Sequence, residues 1–437
     1  MTEQLRINIR KERIKRAIIM AFAYVGVLTG AGLASGQELI QYFVGFGVPG
    51  LIAVVVTGLL HVAFGYILLS MGSYFLASEH SEVLEQMTHP IIVKILDIAL
   101  MITCFVIGFV MIAGAGSNLN QQFGMPSWIG ALICAALILI VSQFDFDKVS
   151  AVIGSFTPFI VFFIILATIY TIFWGDVDLE SSTEIAKTLD RAIDNVALSS
   201  LNYFAMCMMT GVSMAFVLGG EEFNNKVSKT AGILGGFIVG LITAVATFTL
   251  YANLPYIINS DLPMQAIITN IHPILGSFMS IVIYGMIFNT GISLYYALAR
   301  RIAGDDKKKF NLTLIALTLI GYGLSFVGFK KLVAIMYPII GYMGILLILV
   351  IAIGWIKNKS EIKKEGEIRN RIYDLVFAKK DPGQDFSRKD SRELEKLKDE
   401  SIAEDADFKE NVGPVSYTHL TLPTIRHRCR SRWSPYH

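Results

Sequence analysis

The stretch "LTGAGLASGQE", residues 28–38, lies inside an apolar run that starts near residue 17 and is long enough to cross a bilayer. Three glycines and a carboxylate at that place conflict with a lipid-facing helix. Residues 17–29 read as an apolar helix, and Gly30 follows where helices commonly end on a left-handed glycine. Ser35-Gly36-Gln37-Glu38 has the S-x-x-E spacing of a capping box, which predicts a new helix starting at Ser35. At 1.5 Å per residue the first half is ~20 Å long, so the break falls near mid-bilayer. Backbone outside a helix at that depth needs protein or a water-filled cavity around it. The pattern predicts a discontinuous helix of the kind that lines solute and ion sites. The competing reading is a kinked helix packed through small residues.

The surrounding sequence is that of a membrane protein. Hydrophobic residues make up 54% of the 437 and charged residues 16%, with a mean hydropathy of +0.57. Soluble domains are ~25% charged, and a single core cannot hide so much apolar surface. Runs that can span ~30 Å of hydrocarbon recur from 17 to 356. They predict ten spans: 17–46, 49–77, 95–118, 126–143, 149–174, 196–219, 230–254, 274–301, 310–327 and 332–356. The basic start has no cleavage site behind it and reads as an uncleaved first span. With the N-terminus inside, the inner segments hold fifteen Lys and Arg. The outer loops hold four: Lys187, Arg191, Lys330 and Lys331. This asymmetry predicts cytoplasmic termini and a multi-pass protein of the cell membrane.

A second interruption sits in the sixth run, at Thr210, Gly211, Val212 and Ser213. Five runs precede the longest outer loop (175–195) and five follow it, so the two interruptions occupy corresponding places. An odd number of spans per half makes the halves inverted repeats, and paired interruptions in such repeats point to a binding site. The expected fold class is all-α integral membrane, ten transmembrane helices in a 5+5 inverted repeat, with helices 1 and 6 broken.

The domain plan is an N-terminus at 1–16, a ten-span unit at 17–356 (repeat one 17–174, repeat two 196–356), and a charged tail at 357–414. The tail reads as a solvated segment with a short helix over 390–404. Residues 415–437 carry four Arg, no acid and three of the seven His. They are similar to the translated read-through of a sequencing adapter and are expected to be disordered. Without them the basic count drops from 37 to 33 against 35 acids, so the formal charge changes from +2 to −2. The basic balance is then no evidence for nucleic-acid or anionic partners. Truncation after Pro414 should leave expression and melting temperature unchanged, and a loss of several degrees would show a packed tail.

The residues at 30–38, "GAGLASGQE", resemble the signature of the YkvI family of membrane proteins. More broadly, 10–356 resembles the LeuT-type five-plus-five fold of the amino acid–polyamine–organocation transporter superfamily. The resemblance implies a transport class and a fold. It places Gly26 and Thr29 at sodium-site positions and Gly30, Ala31, Gly32, Leu33 and Ala34 at the unwound substrate site, to which Ser35 adds a helix start. In span five the resemblance notes no lysine where proton-coupled relatives often place one, which leans towards Na⁺.

Other candidates come from the residues themselves. Glu38 is either the capping-box partner of Ser35 or an intramembrane gate or cation-reading group. Asn289, Thr290 and Ser293 share one face of span eight at 289/293 and 290/293. Their oxygens suit a hard cation such as Na⁺, the alternative being ordinary polar packing. His61 reads as a neutral core histidine or a proton carrier, and Asn118 and Asn202 as inter-helix hydrogen-bonding groups. Cys104, Cys134 and Cys207 stand singly, as small buried hydrophobes do. No nucleophile with a base, metal cluster, phosphate-cradling loop or ATPase domain is present, so neither an enzyme nor a primary pump is expected. The expected function is Na⁺-coupled symport of a small amino-acid-like solute by alternating access, with no cofactor beyond the ion. The alternatives are H⁺ coupling, or a membrane sensor or assembly factor that keeps the fold. Oligomeric state and solute identity are left open.

Overall fold

The computed structural model describes residues 3–143, 157–175, 177–304, 306–380 and 386–403. The first eight residues expected of span five, and the whole of 415–437, lie outside them. Among the described residues the chain is helical, and no strand is present.

The first expected span is three pieces: α1 (Glu3–Leu28), a single turn α2 (Ala31–Ser35) and α3 (Gln37–Tyr42). Then follow α4 (Val48–Phe75), α5 (His80–Glu85), α6 (Pro90–Phe123), α7 (Ser127–Val141), α8 (Thr157–Phe173) and α9 (Leu179–Thr188). The second half holds α10 (Val196–Gly220), α11 (Asn225–Ala252), α12 (Leu254–Ile257), α13 (Pro263–Ile271), α14 (Pro273–Ala303) and α15 (Lys307–Ser325). It closes with α16 (Phe329–Lys380) and α17 (Arg388–Glu400). Among the described residues six helices are long and apolar enough to cross a membrane: α4, α6, α10, α11, α14 and the stretch Phe329–Val376 of α16. α7 and α8 are apolar but shorter, α1–α3 is interrupted, and α15 opens with three lysines.

The packing is organised by which side chains are missing. Gly58, Gly65 and Gly72 recur every seven residues on α4, and Gly232, Gly236 and Gly240 every four on α11. A Cβ on Gly58 would lie 3.1 Å from the Cα of Gly240, and one on Gly65 would overlap the Gly232 carbonyl. The two backbones thus touch antiparallel from Gly58 to Gly65, while Gly72 meets Phe216 and Gly219 of α10. That contact is worth dispersion energy that lipid tails cannot supply. Around this pair α1 packs on α11 and α10 on α4, while α6 pairs with α14, α7 with α6, and α15 with α14. Asn118 and Asn202 do join helices. The Asn118 amide donates to Gln265 (3.3 Å) and accepts from Ser280 (2.8 Å), and the Asn202 amide donates to the Pro338 carbonyl (3.0 Å).

The structure adds to or departs from the sequence reading in three places. First, α10 runs unbroken through Thr210–Ser213, with the Thr210 hydroxyl donating to the Cys207 carbonyl (2.9 Å). Gly211 there is a contact and not a stop, because a Cβ would overlap Leu28 Cδ2. Second, residues 3–16 are helical and continuous with the first span. Third, the charged tail is not solvated throughout: α16 continues to Lys380, and Ile362, Ile368, Ile372 and Leu375 are buried. The short helix is present at Arg388–Glu400, capped by a Ser387/Asp390 capping box.

Candidate functional site

The first-span break is really two breaks around one isolated turn. At the end of α1 the Thr29 N–H and hydroxyl both donate to the Val25 carbonyl, each at 2.8 Å. The last carbonyls of α1 then lose the next turn of N–H groups. Gly30 follows in an extended conformation (φ −80°, ψ −173°), not the left-handed one expected from the sequence. The left-handed residue is Gly36 (φ +78°), which ends α2 and starts α3. A side chain at Gly36 would be strained by φ and would also press on Leu250 at 3.1 Å.

This geometry removes the capping box. Ser35 turns back and donates to the Gly32 carbonyl (2.8 Å), accepting only from the Gln37 N–H (3.2 Å). Glu38 is therefore free of any capping duty. Its carboxylate is 6% exposed, accepts from the Tyr203 hydroxyl at 3.2 Å, and occupies the volume that a Cβ on Gly32 would need. Among the described residues no Lys, Arg or His forms an ion pair with it. A carboxylate taken out of water with one hydroxyl donor is costly, and proteins keep such groups for a function more often than for stability.

Further unmet polarity lies on the same short helix. Gln37 is 1% exposed, and neither atom of its amide has a hydrogen-bond partner. Gln41 donates to the Lys330 carbonyl (3.2 Å) but leaves its Oε1 unmet. Tyr203 is held by edge contact with Phe43 (5.0 Å between centroids) and a tilted one with Tyr42 (5.5 Å), and Tyr42 donates to Asn202 (3.0 Å). Tyr203, Gln37 and Gln41 carry no sequence signal of their own. Tyr203 stands seven residues before the expected interruption, and only the crossing of α10 over α3 brings its hydroxyl to Glu38.

The expected site residues assemble in part. Gly211 lies against Val27 and Leu28, so the two interrupted stretches named from the sequence do meet. Val212 is buried, Thr210 exposed and Ser213 half-buried. Ala31–Ser35 packs against α14. Among the described residues no hydrogen bond joins Gly26 or Thr29 to Asn289, Thr290 or Ser293; Thr29 is buried, Gly26 exposed, and the Oδ1 of Asn289 is buried without a partner. His61 bonds the Thr57 carbonyl through Nδ1 (2.9 Å), has no partner at Nε2, and meets Phe204 edge-on.

The fold of the described helices is of the LeuT type, on its likeness to two solved structures. The chain superposes on MhsT in complex with L-phenylalanine with a TM-score of 0.54 at 14% identity, covering 86% of this chain and 94% of that one. It superposes on inward-facing Mhp1 with 0.52 at 11% identity, covering 88% of each. In sequence it is similar to the uncharacterized membrane protein YkvI of Bacillus subtilis, 24% identical over 326 residues (75% of this chain, 92% of that protein). It is likewise similar to the uncharacterized protein YyaD of the same organism, 25% identical over 325 residues (74% and 92%). The resemblance to YkvI-type proteins with a LeuT-type fold, read first from residues 30–38, stands on these likenesses. No family model matches the chain.

Proposed function

We propose that the protein is a secondary active transporter that carries a small amino-acid-like solute by alternating access, coupled to Na⁺. The observation that carries this reading is the isolated turn Ala31–Ser35 between two breaks, with the buried Glu38 folded over it. Backbone groups at the two breaks that flank Ala31–Ser35 offer donors and acceptors to a zwitterion, and Glu38 offers a partner for its ammonium. That MhsT is seen with L-phenylalanine supports the solute class. The packing supports ten spans as two inverted halves: α1 on α11 mirrors α10 on α4, and α6 on α7 mirrors α14 on α15. In this reading the termini are cytoplasmic and the membrane is the cell membrane, which the excess of Lys and Arg in the inner loops supports.

For the ion, the unpaired Oδ1 of Asn289 supports an oxygen shell built with Thr290 and Ser293 and completed by backbone at Gly26 and Thr29. The test is a thermal-shift screen of amino acids, amines and organic acids in Na⁺ and in K⁺, since a ligand of the folded state raises its melting temperature. A solute that stabilises only in Na⁺ is the expected result. No hit in any class sinks the transporter reading. Thr290→Val and Ser293→Ala should each weaken Na⁺-dependent binding by ~1–3 kcal/mol, the cost of an unmet polar partner. If both keep the wild-type Na⁺ dependence, this ion site is wrong.

A second reading is H⁺ coupling, which the unpaired Glu38 favours. It predicts uptake into liposomes driven by a pH gradient without Na⁺, and its loss in Glu38→Gln. A sensor that keeps the fold would bind solute with no ion dependence and move none.

A further inference from the structure

The charged extension beyond the last span is built into the end of the bundle that carries the N-terminus. Four of its features depend on one another. Arg369 is 1% exposed and donates to the carbonyls of Ser73 (2.6 Å) and Tyr74 (3.0 Å), the last turn of α4. At this helix end the Ser73 carbonyl otherwise accepts only from the Leu76 N–H at 3.4 Å, and a guanidinium is a strong cap for such terminal carbonyls. The same guanidinium pairs with Glu365 (2.7 Å) and lies 4.8 Å from the ring of Phe223, in the link between α10 and α11. Glu365 in turn accepts from the Ser401 hydroxyl and the Ile402 N–H, which ties down the segment after α17. An apolar patch of Phe223, Ile368, Ile372, Leu375, Leu394 and Ala403 closes beneath it.

The extension also holds α1. Asp374 pairs with Arg13 at 3.1 Å, and Arg13 stands 5.1 Å over the ring of Tyr373. Next to it Arg16 pairs with Glu222 at 2.9 Å. α1 is the one long helix that the breaks at Gly30 and Gly36 cut free from its continuation. It can therefore tilt about those residues without bending a helix, and such a tilt is opposed by its packing on α11 and α10, by the Arg16–Glu222 pair, and by the Arg13–Asp374 contact that the extension adds.

We infer that the extension, residues 357–380 and 386–403, forms a clasp that holds α1 against the ends of α4 and α10 and keeps this end of the transporter closed. Its pin is the buried Arg369–Glu365 pair. Opening the site towards this end requires the Arg13–Asp374 contact to part, so the extension sets how often the site faces that way. The inference uses the transporter reading only to give the motion a meaning, and its test needs no solute.

The test is hydrogen–deuterium exchange on the full chain, comparing wild type with the double variant Glu365→Met/Arg369→Met. Removing both charges leaves no orphaned ion behind, unlike either single change. Amides of 10–28 and 68–75 should exchange roughly tenfold faster or more, while those of 263–303 keep wild-type rates. Asp374→Lys, at a side chain 39% exposed, places a charge against Arg13 and should give the same pattern at smaller amplitude, whether or not the double variant folds. Unchanged exchange at 10–28 in both variants overturns the clasp. A uniform rise over all helices also overturns it, since the extension would then serve stability alone. If the solute screen fails but the local rise is seen, the transporter reading falls and the clasp stands.

Discussion

Glu38→Gln is expected to lower solute affinity by ten- to a hundredfold while leaving the empty protein as stable as wild type or slightly more so. The carboxylate is 6% exposed with the Tyr203 hydroxyl as its donor, and no cation among the described residues pairs with it. Glutamine has the same shape, and its Oε1 accepts from Tyr203 equally well, so the fold over Gly32 is kept. What disappears is the charge. Its burial opposed folding, so its loss does not lower the melting temperature. A charge-assisted hydrogen bond to the solute is worth ~1.5–3 kcal/mol, about one to two powers of ten in affinity. Calorimetry with whichever solute the screen returns measures the first effect, and a melt without solute measures the second. Affinity within twofold of wild type would return Glu38 to a packing role.

The largest effect on stability is expected at Gly232. A Cβ there would overlap the Gly65 carbonyl and crowd the Tyr66 nitrogen, all of it backbone. No rotamer change relieves such a clash, so Gly232→Ala has to push α4 and α11 apart along their shared glycine seam. Overpacking of this kind costs ~1–3 kcal/mol, and Gly232→Val should exceed it. A melting series in detergent should show a drop of several degrees for Ala and little folded protein for Val. Gly323, with nothing within 4 Å of an added Cβ, is the control. It sits inside α15, and Gly323→Ala should be neutral or mildly stabilising through helix propensity. If Gly232→Ala melts with wild type, the helices have room that the structure does not show.

Residues 28–38 announce a broken helix because glycines at 30 and 36 weaken a helix wherever they stand, and a membrane offers no water to rescue the freed backbone. The apolar runs announce the membrane for the same reason of simple chemistry. The polar residues Asn118 and Asn202 announce inter-helix bonds because an amide in hydrocarbon has to find a partner. These conclusions rest on properties each residue carries in any fold.

The rest depended on what crosses what. Gly211 signals a missing side chain in α10 as clearly as Gly30 does in the first span, yet the space is filled by Leu28 and the helix continues. Ser35 and Glu38 have capping-box spacing, but the left-handed turn at Gly36 breaks the register between them, and Tyr203 from another helix takes the carboxylate. The tail looks like a solvated charged segment until the carbonyls at the end of α4 are seen to accept Arg369. A sequence states which groups need a partner or lack a side chain. Which partner arrives is settled by surfaces distant in the chain, and a glycine that turns the backbone looks locally the same as one that admits a neighbour.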